Sequence, residues 1–270
     1  MNSTQDSKKS NQKLILRGRN VNFVFFAKTY KFVTVRDMIA ELARDPMGTL
    51  LNESDRVHIL NDLNFEINNG DRIGILGVNG AGKTTLCRCL AGLYKSRGTI
   101  ETFGHKIRAV FDTSMGIQPE LTGRENANLL LKFMYPEFYS EHANMLQEIC
   151  DFSELKEFLD IPFKDYSNGM QARLCLSLIS SKPADLLILD EVFDGADQFF
   201  RKKISIRVQD LIKHSGAVLF VSHSVDQILQ ICNRVWYLKD GQIIFDGPPE
   251  KGIQLYHELG QHQGLGHRFE

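Results

Sequence analysis

The chain has 270 residues, 43% of them apolar and 24% charged, with a formal net charge of −1. That is an ordinary composition for a soluble globular protein, with ample length for a buried core. The near-neutral balance supplies no basic field for nucleic acid, so no nucleic-acid partner is expected. Five cysteines (Cys87, Cys89, Cys150, Cys175 and Cys232) are an odd number in no zinc or disulfide spacing, and are read as reduced thiols. Residues 1–13 are polar, contain no signal-peptide core, and are expected to form a flexible tail. No apolar run approaches the roughly 20 residues that span a bilayer, so work at a membrane would require another chain to cross it.

The first predicted element is a strand over Leu14–Ala27, ending in the apolar run Val21–Phe26. Val35, Met38, Ile39 and Leu42 then recur at helical spacing, with Thr34 as N-cap and Pro46 and Gly48 closing the segment. His58–Ile67 reads as a strand, Asn68–Asp71 as a turn, and Arg72–Leu76 as a short buried strand. Gly77–Gly82 is a glycine-rich loop, and Lys83–Leu93 reads as a helix. The stretch 122–158 is mostly helical, and a further helix runs from Ser167 to Ile179. Leu186–Leu189 and Ala217–Val221 are buried strands, separated by an amphipathic helix over Phe199–His214 and followed by a helix over Val225–Cys232. Val235–Leu238 and Gln242–Phe245 flank Lys239-Asp240-Gly241, a hairpin turn. Buried strands alternating with helices give an α/β fold with a mostly parallel sheet.

Gly77-Val78-Asn79-Gly80-Ala81-Gly82-Lys83-Thr84 has the phosphate-loop spacing GxxxxGK[ST], between an apolar strand and a helix. Glycines let backbone amides turn onto phosphate oxygens, and the helix N-terminus adds unpaired N–H groups and its dipole. Lys83 is placed for the β- and γ-phosphates, the Thr84 hydroxyl for Mg²⁺, and Thr85 for the α-phosphate. The implied ligands are therefore ATP and Mg²⁺. Leu186–Leu189 runs into Asp190-Glu191, at the strand edge where ligands bind in parallel sheets. Asp190 is the candidate Mg²⁺ contact and Glu191 the candidate general base for water. His223, after the strand Ala217–Val221, is either a second catalytic contact or a polar edge residue.

In this order, with Tyr166-Ser167-Asn168-Gly169-Met170-Gln171 ahead of the Asp190 strand, these pieces resemble the ATPase subunit of ATP-binding-cassette (ABC) transporters. The hexapeptide is similar to that family's LSGGQ signature loop, which meets the γ-phosphate of ATP on a second subunit. On this resemblance Ser167 and Gly169 carry that contact. Pro119-Glu120-Leu121-Thr122-Gly123-Arg124-Glu125-Asn126 is similar to the PELTGREN stretch of exporters of O-antigen, capsular polysaccharide and teichoic acid, as is the insertion over Lys28–Asp55.

The resemblance implies a P-loop NTPase of ABC type, with an antiparallel β subdomain and an α-helical subdomain at about 114–176. A single ATPase domain spans 14–259, and 260–270 is a second flexible tail. The implied protein is an ATPase working as a homodimer. It sits peripherally on the cytoplasmic face of the inner membrane, and its only membrane contact is through a permease of ABC-2 type. Several positions depart from the pattern. The Q-loop glutamine aligns near Asp112 or Thr113, with Gln118 offset. Asn168 replaces a glycine, a change attributed to asparagine's tolerance of left-handed backbone. The D-loop reads Asp194-Gly195-Ala196-Asp197, and His58 stands where relatives stack an aromatic ring on adenine. It either stacks there or is a plain strand residue. The rival readings are a soluble ABC-type ATPase and a nucleotide-dependent regulator that does not hydrolyse.

Overall fold

The computed structural model describes residues 13–26, 56–104, 106–111, 116–190, 198–222 and 224–264. The expected helix over Val35–Leu42, the Q-loop positions Asp112 and Thr113, the D-loop 194–197, and the candidates Glu191 and His223 lie outside them.

Two sheets organise the chain. β1 (Leu14–Phe26) pairs antiparallel with β2 (Arg56–Asn68) and with β4 (Arg97–Thr102), in the order β2-β1-β4. The larger sheet has the order β5-β6-β7-β3-β8-β9, with β3 at Arg72–Leu76, β5 at Ile107–Val110, β6 at Leu186–Asp190 and β7 at Ala217–Val221. Its pairs are parallel except for β8 (Arg234–Lys239) and β9 (Gln242–Gly247), the hairpin expected around Asp240-Gly241. Every residue of β6 and β7 is buried, the signature of a strand covered on both faces.

The period-2 alternation of these strands divides the core. Leu187, Leu189, Val218 and Phe220 face one cluster, with α5 (Gln198–His214) and α6 (Val225–Ile231) packed over it. Leu186, Ile188, Ala217 and Leu219 face the other, against α1 (Lys83–Leu90) and the inner side of the antiparallel sheet. A third cluster joins α2 (Gly123–Met134), α3 (His142–Ser153) and α4 (Asn168–Ile179) into a helical unit. Arg108 on β5 ties this unit to the sheet. Its buried guanidinium donates to the carbonyls of Met134, Lys182 and Pro183, pairs with Glu137, and lies 4.4 Å from the Tyr135 ring centroid.

Several elements differ from those expected. α1 stops at Leu90 rather than Leu93, because the amides of Leu93 and Tyr94 turn back to the Arg88 carbonyl at 2.9 and 3.3 Å. β4 and β5 were not foreseen. A last helix, α7 (Pro249–Gly264), runs past Gly260, where the sequence suggests a tail. Among the described residues no helix is long and apolar enough to cross a membrane.

Candidate nucleotide site

Four elements converge at one edge of the parallel sheet. Asp190 is level with Val221, and Val221 with Ile75, so the ends of β6, β7 and β3 form one row. The glycine-rich loop leaves β3 just beyond that row and runs into α1. Val78, Asn79 and Gly80 are exposed, Gly77, Ala81 and Gly82 are buried, and Thr84 and Thr85 are half-buried. Gly82 caps α1 with φ 98°, a left-handed conformation, and a Cβ there would lie 3.0 Å from the Ile59 carbonyl. No side chain caps α1, so its first-turn amides remain for an anion at the loop.

Lys83 sets the electrostatics. It is only 9% exposed, and its ammonium donates to the carbonyls of Gly77 at 2.7 Å and Val78 at 3.2 Å. The positive charge is thus held by the loop itself, at the loop's mouth. Asp190 is buried at the end of β6. Cys87, one turn along α1, lies close enough to both to feel their charges. Burial pushes its thiol well up, the Asp190 charge adds to that, and Lys83 opposes it. Lys83 and Asp190 thus lie within electrostatic reach of the same side chain on α1. Cys87 is left a neutral thiol with no nucleophilic role.

His58 lies on β2, exposed, next to Ile59, whose carbonyl faces Gly82, and near Leu60, whose Cδ2 approaches the same glycine. A register shift in the β1–β2 ladder falls between Leu60 and His58. His58 therefore stands exposed at the rim of the loop. Ser222 and Ser224 shape the turn after β7. The Ser222 hydroxyl donates to Gln227 Oε1 at 2.8 Å and accepts the Ser224 amide at 3.0 Å, and Ser224 caps α6.

Ser167 and Gly169 are not brought to this loop. Ser167 is exposed and caps α4, accepting the Met170 amide at 3.3 Å, and α4 packs on α2, α3 and α5. Asn168 is the first residue of α4 and not one of the positive-φ residues, so left-handed tolerance is not why asparagine is accepted here. Any side chain fits a helical N1 position that points to solvent.

A strand–loop–helix cradle on a parallel sheet, with a buried lysine and a strand-end carboxylate, defines a phosphate-loop nucleotide-binding fold. A profile of the family described as ABC transporter matches residues 60–194. The O-antigen export system ATP-binding protein RfbE of Yersinia enterocolitica is 38% identical over 198 residues, 73% of this chain and 82% of that protein. The teichoic acids export ATP-binding protein TagH of Lactococcus lactis is 34% identical over 211 residues, 78% of this chain and 44% of that protein. Among solved structures, a dimeric ATP-binding cassette in a post-hydrolysis state bound to ADP and Pi superposes with a TM-score of 0.65 at 20% identity, over 87% of this chain and 99% of that one. The chain belongs to the ABC transporter family, as its ATP-binding subunit, and is an ATPase of that fold.

Proposed function

We infer that this chain is the ATP-hydrolysing subunit of an exporter for a polysaccharide or lipid-linked glycan of O-antigen, capsule or teichoic acid type. The observation that carries the nucleotide half is the Lys83 ammonium fixed on the Gly77 and Val78 carbonyls, beside the strand-end row that contains Asp190. The glycan half is supported by relatives named for O-antigen and teichoic acid export. ATP would sit on Gly77–Thr85, with Glu191 and His223 acting on the attacking water.

The donor set suits Mg²⁺. The Thr84 hydroxyl and the Asp190 carboxylate offer hard oxygens, and among the described residues no group of three or more His, Cys, Asp or Glu could hold a metal alone. A cation that completes its shell with water and nucleotide phosphates fits such a site. When bound it would neutralise developing phosphate charge. Because Ser167 and Gly169 lie away from the loop of their own chain, they support a head-to-tail homodimer in which each signature helix meets the partner's nucleotide. An ABC-2 type permease would receive the motion, with this chain held at the cytoplasmic face of the inner membrane by that contact.

The test is genetic and biochemical. Deleting the gene should remove the surface glycan and leave its lipid-linked form in the inner membrane, with wild type but not Lys83→Ala restoring export. Normal surface glycan in the deletion strain would overturn the cargo assignment.

His58 offers a separate expectation. If its ring stacks on adenine, His58→Ala should raise KM for ATP about fivefold at unchanged kcat, the lower end of the roughly 1–3 kcal/mol that stacking a base contributes. Equal KM values would leave His58 a strand residue.

A further inference from the structure

The start of α2 and the approach to α4 are built as one piece. Residues 119–124 and 159–164 run antiparallel, with Lys164 N–H donating to Pro119 O at 3.0 Å, Phe163 N–H to Leu121 O at 2.9 Å, and Arg124 N–H to Leu159 O at 2.9 Å. The ion pairs Lys164–Glu120 at 2.6 Å and Arg124–Asp160 at 2.7 Å flank this ribbon. Beneath it, fully buried Asn126 accepts the Gln118 amide at 2.8 Å and donates to the carbonyls of Gln118, Leu121 and Thr122. The ribbon leads straight into Tyr166 and the cap residue Ser167.

Tyr166 is buried, its ring is stacked on Phe163 at 5.1 Å, and its hydroxyl donates to the Phe158 carbonyl at 2.7 Å. Burial pushes its phenol up to about 12, so it remains a neutral donor across the physiological range. Its carbonyl accepts from Gln171 Nε2 at 3.3 Å. Gly123, the first residue of α2, faces this hydroxyl. A Cβ at 123 would lie 2.0 Å from the Tyr166 oxygen and 2.9 Å from its ring carbon. Residue 123 can therefore carry no side chain while Tyr166 keeps its place.

We propose that Gly123 and Tyr166 form a lock that positions the N-terminus of α4 against the start of α2. Both are positioning residues for Ser167 and Gly169. The inference rests on the reading that those two meet the partner's nucleotide. Its consequence is mechanical. Displacement of 119–124 is carried through the ribbon and the lock to Ser167, so the start of α2 and the segment expected to contact ATP move as one body.

Full-length Tyr166→Phe, Gly123→Ala, the double variant and Ser167→Ala are compared in a Glu191→Gln background. Monomer affinity for a fluorescent ATP analogue is measured alongside ATP-driven dimerisation by sedimentation. Tyr166→Phe and Gly123→Ala should each weaken dimerisation, Gly123→Ala by about tenfold, with monomer affinity within about twofold of the parent. The double variant should be no worse than Gly123→Ala, because losing the hydroxyl removes the 2.0 Å clash and leaves only the 2.9 Å approach to the ring carbon. Strictly additive losses overturn the lock. So does wild-type dimerisation of both single variants while Ser167→Ala is impaired. Unimpaired dimerisation of Ser167→Ala overturns the signature-loop reading, and the lock with it. Should Gly123→Ala not fold, Tyr166→Phe, which keeps the ring, decides.

Discussion

Lys83→Ala should abolish ATP turnover and reduce nucleotide affinity while leaving the fold intact. The ammonium is held on two loop carbonyls and is almost fully buried, so it meets a phosphate with little intervening water. Charge-assisted hydrogen bonds of this kind contribute about 1.5–3 kcal/mol each. Removing one group aimed at developing charge commonly costs about 10²–10³ in rate. The fold does not depend on it. α1 is anchored by Leu86, Cys87 and Leu90 in the core, and Gly82 begins the helix through its backbone alone. Lys83→Arg should not rescue, because a planar guanidinium is too broad for a cup made of two carbonyls spaced for one nitrogen. Phosphate release assays, nucleotide binding and a melting curve measure the three quantities. Wild-type turnover in Lys83→Ala would remove the loop from the mechanism.

What could be read in advance follows from burial. β3, β6 and β7 are runs of apolar side chains because both faces are covered, and the phosphate loop and signature are defined by spacing. The row that joins Asp190 to the loop required register, which only the structure supplies. β4 reads Arg-Gly-Thr-Ile-Glu-Thr and is mostly exposed at a sheet edge, so it carries no hydrophobic pattern to detect. β5 is four residues long, too short for a period to show. α1 ends early because backbone carbonyls are recaptured locally, a choice that helical periodicity through Leu93 does not reveal. The Gly123–Tyr166 contact joins residues far apart in sequence. The only trace of it beforehand is a glycine at a helix start, where an N-cap neighbour would accept almost any residue.

Glu191→Gln should bind ATP normally, hydrolyse it at least about a hundredfold more slowly, and accumulate as an ATP-bound dimer. The division of labour between the two adjacent acids follows from β6. Asp190 shares the parity of Leu186 and Ile188, which pack toward α1, and its charge is felt by Cys87 on that helix. Asp190 thereby faces the loop side, which is why we propose it for the cation and Glu191 for the attacking water. Glutamine keeps the size and hydrogen-bonding reach but cannot accept the proton, and general-base catalysis is worth roughly 10²–10⁴ in rate. Steady-state phosphate release and sedimentation with ATP test both halves. Taken with Lys83→Ala, the result separates the ATPase from a nucleotide-dependent regulator. A chain that only sensed ATP would still need Lys83 to bind it, but its dimer would form and dissociate identically with Glu or Gln at 191. Dimer that persists in Glu191→Gln and dissolves in the wild type means that hydrolysis itself reopens the interface.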